Sequence, residues 1–241
     1  MNLINYFDEE ITKLWNDYAS NRNKGLKKIA NQKLRDMINF INLKNSDEIK
    51  QFVDFICIER FEKECIKDFQ QPLIEDLILP ILIEGVEAEK IPYLRWIYQL
   101  ELYSNSNNKN IDKIEYYNSE EILIKANSLD PNDIKTIILL MNRYIDQLWF
   151  GSHHFPEYIL AEKEYVDELL NKSAKLIEKH KEKSDILSGM IKDIEYYKDL
   201  YESWFKYKSE CLKIPFAEWC VINDKNYSWV KTFYYDKRNH K

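Results

Sequence analysis

Two adjacent histidines, His153 and His154, are the residues of this chain whose chemistry is easiest to recognise. They lie in a short break, residues 150–156, between two predicted helices, and Glu157 follows the break directly. Two imidazoles beside a carboxylate can transfer a proton or bind a metal ion. Adjacent loop residues seldom reach one metal ion, however, and the chain has no His-x-x-x-His or Glu-x-x-His spacing. The alternative is a structural turn, and we predict no catalytic residue and no metal site here; His180 is expected at the surface.

The surroundings of this break make it a candidate binding site. Arg143 and Trp149 belong to the predicted helix that precedes it. Only 6 of the 35 basic residues are arginines, so an arginine is more informative in this chain than a lysine. The binding residues predicted around the break are Arg143, Trp149, His153, His154 and Glu157.

A second candidate surface is acidic. Residues 51–89 contain 10 acidic and 3 basic residues, and several carboxylates fall on one predicted helix. An acidic patch can attract a basic partner through complementary charge, and Glu59, Glu62 and Glu64 are the residues predicted to do so. The alternative is a solvated helix face without a partner.

The C-terminal residues 225–241 have the opposite charge, with 5 basic residues and 1 acidic residue among aromatic ones. Aromatic and basic side chains together can hold single-stranded nucleic acid. They can equally pack the tail onto the protein while the charges remain in water, and this second interpretation is favoured. We therefore expect no nucleic-acid partner.

The scarcity of glycine and proline defines the fold class. The 241 residues include only 4 Gly and 6 Pro, whereas sandwiches, barrels and dinucleotide-binding folds need glycine-rich turns. No phosphate-binding loop, nucleophile elbow or Cys-x-x-Cys pair is present, so we expect no cofactor. The longest apolar run, residues 77–83, is too short to span a membrane. We expect an all-α protein of the bacterial cytoplasm, without a membrane partner.

Apolar residues recur with helical spacing along almost the whole chain. Asp130 is expected to cap a helix with Pro131 in its first turn, and Pro80 is expected to kink or end another. The predicted helices, about eight to ten packed as antiparallel hairpins, cover residues 5–20, 26–43, 46–69, 72–83, 92–103, 119–128, 134–149, 157–181 and 185–212.

Two features of the organisation stay open at this level. The runs 216–222 and 227–235 are either two short helices or a small β-hairpin, since the second is rich in aromatic and β-branched residues. The chain is either a single all-α domain, residues 1–241, or two lobes, 1–103 and 119–241, joined by the polar loop 104–118.

One segment of 24 residues, 122–145, is similar to a known motif. It resembles the junction between tetratricopeptide repeats, where a helix containing an alanine is followed by Asp-Pro-Asn and the next helix. The resemblance implies two antiparallel helices at this place and a groove that binds a protein or a peptide. The matching residues are Ala126, Leu129, Asp130, Pro131 and Asn132.

These observations favour a non-catalytic helical module for protein–protein interaction. One form of this hypothesis is an immunity or antitoxin-like protein whose acidic residues 51–89 block a basic toxin. The alternative is an enzyme or small-ligand binder that uses the turn from Trp149 to Glu157. Oligomeric state is not predicted.

Overall fold

Helices account for all of the regular secondary structure in the computed structural model, which describes residues 4–6, 8–100 and 116–229. The all-α prediction is confirmed, and no strand occurs among these residues. The chain divides into two units, Met1–Asn132 and Asp133–Lys241. No helix in the described part of the chain is both long and apolar enough to cross a lipid bilayer. The predicted lobe boundary at 104–118 lies mostly outside the described residues.

The first unit begins with a pair of helices that bury one face each against the other. Trp15 and Tyr18 of the first helix (Glu9–Asn23, α1) and Leu34 and Met37 of the second (Lys27–Ile41, α2) are almost completely buried, at the helical spacing that the sequence predicts. Asp8 caps α1 and forms an ion pair with Lys44 at 2.8 Å, which lowers the pKa of the Asp8 carboxyl. The helices of this unit are α1 (Glu9–Asn23), α2 (Lys27–Ile41), α3 (Ser46–Cys57), α4 (Gln71–Leu73), α5 (Leu79–Glu87), α6 (Ile91–Gln99) and α7 (Glu120–Leu129).

The third helix is shorter than predicted. We expect a helix to about residue 69, but α3 passes into a π-helical turn, Ile58–Glu62, and ends there. Glu64 then adopts a left-handed conformation with φ of 56°. The backbone N–H groups of the two residues after it, Cys65 and Ile66, donate hydrogen bonds to the carbonyl of Glu59. The reversal buries Ile66 completely. Tertiary burial of one isoleucine therefore outweighs the local helical pattern.

Of the two outcomes predicted for Pro80, a kink or an end of the helix, the second does not occur. The π-helical turn Ile74–Ile78 connects α4 directly to α5, and Pro80 lies in the first turn of α5. Proline lacks the backbone N–H and crowds the preceding turn, and these effects are least disruptive at the start of a helix. The helix therefore has a wider, π-helical turn before Pro80 and does not break there.

A buried ion pair connects the end of α3 to α6. The guanidinium of Arg95, whose side chain is only 6% exposed, donates to both carboxylate oxygens of Glu62, at 2.8 and 3.3 Å. The indole N–H of Trp96 donates to the same carboxylate at 2.7 Å. Glu62, predicted as part of an acidic docking surface, thus neutralises a buried cation inside its own unit.

In its described part, residues 133–229, the second unit contains three long helices that pack against one another and a short fourth α-helix. Its first helix begins at Ile134, and the residue in the N-cap position is Asp133 rather than the predicted Asp130. The Asp130 carboxylate instead accepts a hydrogen bond from the Asn132 N–H, which forms a turn before the helix. These helices are α8 (Ile134–Ser152), α9 (Lys163–Lys179), α10 (Ser184–Ser209) and α11 (Phe216–Ile222).

The first half of the proposed C-terminal hairpin is helical. Phe216, Trp219 and Cys220 lie on one face of α11 and are buried against Trp204 of α10. This spacing is that of a helix rather than a strand, so the β-hairpin is not supported. Residues 230–235 of the second run lie outside the described part of the chain.

His180 is buried, contrary to its predicted surface position, and is only 3% exposed. It follows the last residue of α9, and its Nε2 has no hydrogen-bond partner among the described residues. Burial lowers the pKa of this imidazole; Lys183 and Lys179 add to the shift and Glu182 opposes it. The neutral ring is therefore the form that the fold accommodates.

Replacement of Glu62 by Gln should destabilise the first unit, because the buried Arg95 loses its counter-charge. The expected loss in the free energy of unfolding is about 2 kcal/mol, below that of a fully buried pair because the Glu62 side chain is still 24% exposed. Urea denaturation followed by circular dichroism measures it. The matched control is Glu64→Gln, an exposed position where the change should stay within about 0.5 kcal/mol. Equal effects of the two substitutions would contradict a structural role for the Glu62–Arg95 pair.

Acid should destabilise the second unit through His180. The unfolded chain binds a proton at the ordinary histidine pKa of about 6.5, whereas the folded chain resists it. The free energy of unfolding is therefore highest above that pH and falls as the pH drops toward the lowered pKa of the folded state. Urea denaturation at pH 7.5 and pH 5.5 should show a smaller difference in a His180→Gln variant than in the original chain. An identical difference in both proteins would show that His180 does not contribute.

Candidate functional site

A groove of about 760 Å³ opens beside the C-terminal half of α8, within the second unit. One wall is a helix face, and the opposite wall is the segment that leads into α9. The residues from α8 are Arg143, Asp146, Gln147, Trp149, Phe150 and Gly151. The residues from the other wall are Leu160, Ala161, Glu162 and Tyr165.

The two walls meet at Gly151, where a side chain would not fit. A Cβ atom at this position would lie 2.3 Å from the Tyr201 hydroxyl oxygen and 2.7 Å from the Ala161 Cβ. The carbonyl of Gly151 accepts a hydrogen bond from the Leu160 N–H at 2.9 Å, which fixes the returning segment against the helix. The close contact at this glycine therefore sets the width of the groove.

Tyr201 of α10 supports the same wall from behind. Its ring is completely buried, and its hydroxyl donates to the carbonyl of Leu148 at 2.9 Å. Burial raises the pKa of Tyr201 to about 12, so the hydroxyl keeps its proton and remains a donor. The same carbonyl also accepts a hydrogen bond from the Ser152 hydroxyl at 3.0 Å, so the Tyr201 bond ties α10 to the last turn of α8.

Phe155 anchors the segment between α8 and α9 in the core of the second unit. Its ring lies 5.2 Å from that of Trp204, 5.6 Å from Phe216 and 5.9 Å from Trp229, measured between ring centroids. Aromatic pairs at such distances are stabilising beyond the area that they bury. The segment that carries Leu160 is thus held at both ends, by Phe155 and by α9.

Two side chains that line the groove each have one polar atom without a partner in the described part of the chain. The Nε of Arg143 and the Oε1 of Gln147 are buried, and neither atom makes a hydrogen bond there. Arg143 also forms no ion pair among the described residues. Both atoms are almost completely inaccessible to solvent, so a molecule in the groove would reach other atoms of these two side chains first.

The rest of the groove is apolar inside and acidic at the edge. Trp149 is 55% exposed and Phe150 60%, high values for large aromatic side chains. The carboxylates of Asp146 and Glu162 are exposed as well and form no ion pair within the described residues. The half-buried Arg143 therefore lies deeper than the two acids.

The histidines of the predicted site lie beside the groove and do not line it. The rings of Trp149, His153, His154 and Tyr158 form a continuous row, with successive centroid distances of 5.5, 4.0 and 4.6 Å. The Nδ1 of His153 donates to the carbonyl of Phe150 at 2.6 Å, which makes this imidazole part of a local turn. Glu157 is exposed and does not reach the groove either. In the described part of the chain, no cluster of three His, Cys, Asp or Glu side chains could hold a metal ion.

The acidic residues predicted as a docking surface lie in the first unit, and they differ in whether their carboxylates are free to contact a partner. Glu59 forms an ion pair with Lys63 at 2.7 Å, and Glu62 is held by Arg95 and Trp96. Glu64 is exposed and has no such partner among the described residues. Two of the three carboxylates are thus already paired within the protein.

The groove brings together two of the predicted residues, Arg143 and Trp149, with several that sequence reasoning missed. Helical spacing alone could have found Gln147, which is one turn beyond Arg143. Nothing in the sequence indicates that Leu160 and Tyr165 return to face this helix, because the contact depends on Gly151 and on the anchoring of the intervening segment.

Substituting alanine at Gly151 should widen the groove and destabilise the second unit. The added methyl group overlaps the Tyr201 hydroxyl, and forcing atoms into a packed region costs about 1–3 kcal/mol. Tyr201→Phe removes the overlapping oxygen, so the double variant should lose less stability than the sum of the two single variants. Urea denaturation of the four proteins measures this coupling. Strict additivity would show that the two residues do not meet as described.

No protein-family model, no curated protein and no solved structure matches the chain. The resemblance of residues 122–145 to a tetratricopeptide-repeat junction therefore stays a prediction. Geometry and electrostatics of the groove remain the physical basis for assigning a function to this chain.

Proposed function

We propose that this chain is a non-catalytic helical module that binds another protein, and that the groove beside α8 is its binding site. The observation that carries the proposal is the exposure of two neighbouring aromatic side chains, Trp149 and Phe150, at 55% and 60%. Tryptophan and other large aromatic residues dominate the energetics of protein interfaces when a partner covers them. Keeping two such rings in water has a free-energy cost that a partner would remove.

The walls of the groove favour a preformed binding site. Gly151 and Leu160 are joined by a backbone hydrogen bond, and Phe155 anchors the intervening segment in an aromatic cluster. A site that is already ordered loses little conformational entropy when a partner binds. The exposed rings and the fixed walls together support recognition of one segment of a partner protein.

A photo-crosslinking experiment tests the proposal. Leu160, which is 47% exposed on the groove wall, is replaced by benzoylphenylalanine, and the protein is irradiated in cells of its source organism. We expect a covalent adduct with a discrete polypeptide, and we expect the double substitution Trp149→Ser and Phe150→Ser to abolish it. The control places the same probe at Leu43, which is 86% exposed in the first unit. An adduct at Leu160 that survives the double substitution, or the absence of any adduct, would contradict the proposal.

A small molecule is the second candidate occupant, because 760 Å³ lies within the usual range of ligand pockets. This alternative differs from the turn-based site predicted from sequence, since His153, His154 and Glu157 do not line the groove. It predicts thermal stabilisation by a compound and no polypeptide adduct at Leu160.

The immunity-like form of the proposal gains little support from the acidic residues. Glu62 neutralises Arg95, so a basic partner would have to compete with an internal ion pair. Glu64 remains available for such a contact. Binding of a basic toxin by residues 51–89 remains a separate proposal that charge reversal at Glu64 tests.

A further inference from the structure

The turn between α1 and α2, in the first unit, carries a dense cluster of basic residues. Residues 18–35 contain six basic residues and no acidic one, although acidic residues outnumber basic ones in the chain as a whole. Four of the six are exposed, and none of the six forms an ion pair within the described residues. The next acidic residue, Asp36, already accepts a hydrogen bond from Gln32 at 2.9 Å. These six residues, which we call the basic tip, are Arg22, Lys24, Lys27, Lys28, Lys33 and Arg35.

Two aliphatic side chains are exposed to water within the same turn. Leu26 is 44% exposed and Ile29 48%. Lys27 and Lys28 separate them along the chain. A Cβ atom at Gly25 would contact nothing beyond the adjacent residues within 4 Å, so the turn projects from the first unit. Hydration accounts for the exposed lysines, whereas the aliphatic side chains gain free energy only when a partner covers them.

The start of α2 adds to the positive charge of the basic tip. Its first turn contains Lys27 and Lys28, and it has no acidic residue and no side-chain cap. The N-terminus of a helix has a partial positive charge, which α1 and α3 offset with acidic residues in their first turns. An anionic partner would therefore reduce the repulsion among the lysines and between the lysines and the helix end.

Anionic partners differ in what they offer to Leu26 and Ile29. Nucleic acid presents phosphates and sugars to such a turn, and residues 19–35 contain no aromatic side chain that could stack on a base. An acidic protein segment binds best in a groove, whereas this turn projects. A bilayer with anionic lipids offers negative headgroups with hydrocarbon directly beneath them, and clusters of four to eight Lys and Arg residues are typical of proteins that bind such lipids.

We propose that the basic tip docks the chain onto a membrane surface that contains anionic phospholipids. Lys24, Lys27 and Lys28 contact the lipid headgroups. Leu26 and Ile29 reach the boundary between the headgroups and the acyl chains. The expectation of no membrane partner rests on the lack of a spanning segment, which a surface contact does not require. The inference concerns the first unit alone and is independent of the proposed function.

Flotation of the full chain with lipid vesicles tests the inference. The chain should bind vesicles made of equal parts of phosphatidylcholine and phosphatidylglycerol but not vesicles of phosphatidylcholine alone, and added salt should weaken the binding. Lys27→Gln with Lys28→Gln should lower the partition coefficient by at least about tenfold, whereas Lys27→Arg with Lys28→Arg should preserve it. Leu26→Ser with Ile29→Ser, which leaves the charge unchanged, should lower it by about fivefold.

Matched control variants carry the same changes at other exposed positions. Lys192→Gln with Lys198→Gln removes two charges from α10, and Leu43→Ser with Ile186→Ser removes two exposed aliphatic side chains. Both control proteins should bind the anionic vesicles as tightly as the original chain. Equal losses in the control and the tip variants would overturn the inference, because they would show a general effect of charge or of apolar surface.

Other results would also overturn the inference. Equal binding to both kinds of vesicle would exclude recognition of anionic lipid, and so would the absence of any binding. Duplex DNA and polyglutamate are tested in parallel by fluorescence anisotropy with the labelled chain. Tighter binding of either one that depends on Lys27 and Lys28 would assign the basic tip to that polyanion instead. The crosslinking at Leu160 is unaffected by all of these outcomes, so the proposed function is decided separately.

Discussion

The groove depends on the missing side chain of one residue. Because Gly151 has no Cβ, the Tyr201 hydroxyl and Ala161 can approach the end of α8 more closely than any other residue would permit. The approach brings the segment after α8 back along the helix, and its hydrogen bond to the Gly151 carbonyl keeps it there. Without this contact Arg143 and Gln147 would belong to an ordinary solvent-facing helix, and Leu160 would not lie opposite them.

Local sequence signals predicted most helices but not all of their ends. The starts predicted for α1 and α2 from their apolar residues, and for α6 from Pro92, agree with the observed helix starts to within a few residues. The exceptions have different physical causes. The early end of α3 follows from the burial of Ile66, which is a contact between elements that a local pattern does not contain. The continuation through Pro80 is a local adjustment, in which a π turn precedes the proline.

The candidate site shows the same division between local and tertiary information. Arg143 and Trp149 were predicted because they stand on one helix next to a conspicuous break. The break itself was predicted to be the centre of the site, whereas His153 and His154 stack in a row beside the groove. Gln147 could be found by helical spacing, whereas Tyr165 could not. Carboxylates were harder still to interpret, because sequence does not reveal that Glu62 neutralises a buried arginine.

The anchoring of Phe155 in the aromatic core has a consequence for local fluctuations of the groove. Segments with few buried contacts open independently of the rest of a protein, at a small fraction of its global stability. Here the segment that forms one wall shares its buried ring contacts with Trp204 and Phe216. Opening that wall means breaking the Leu160–Gly151 backbone hydrogen bond and disrupting part of the core. We therefore expect this wall to open together with part of the aromatic core of the second unit rather than as an independent loop.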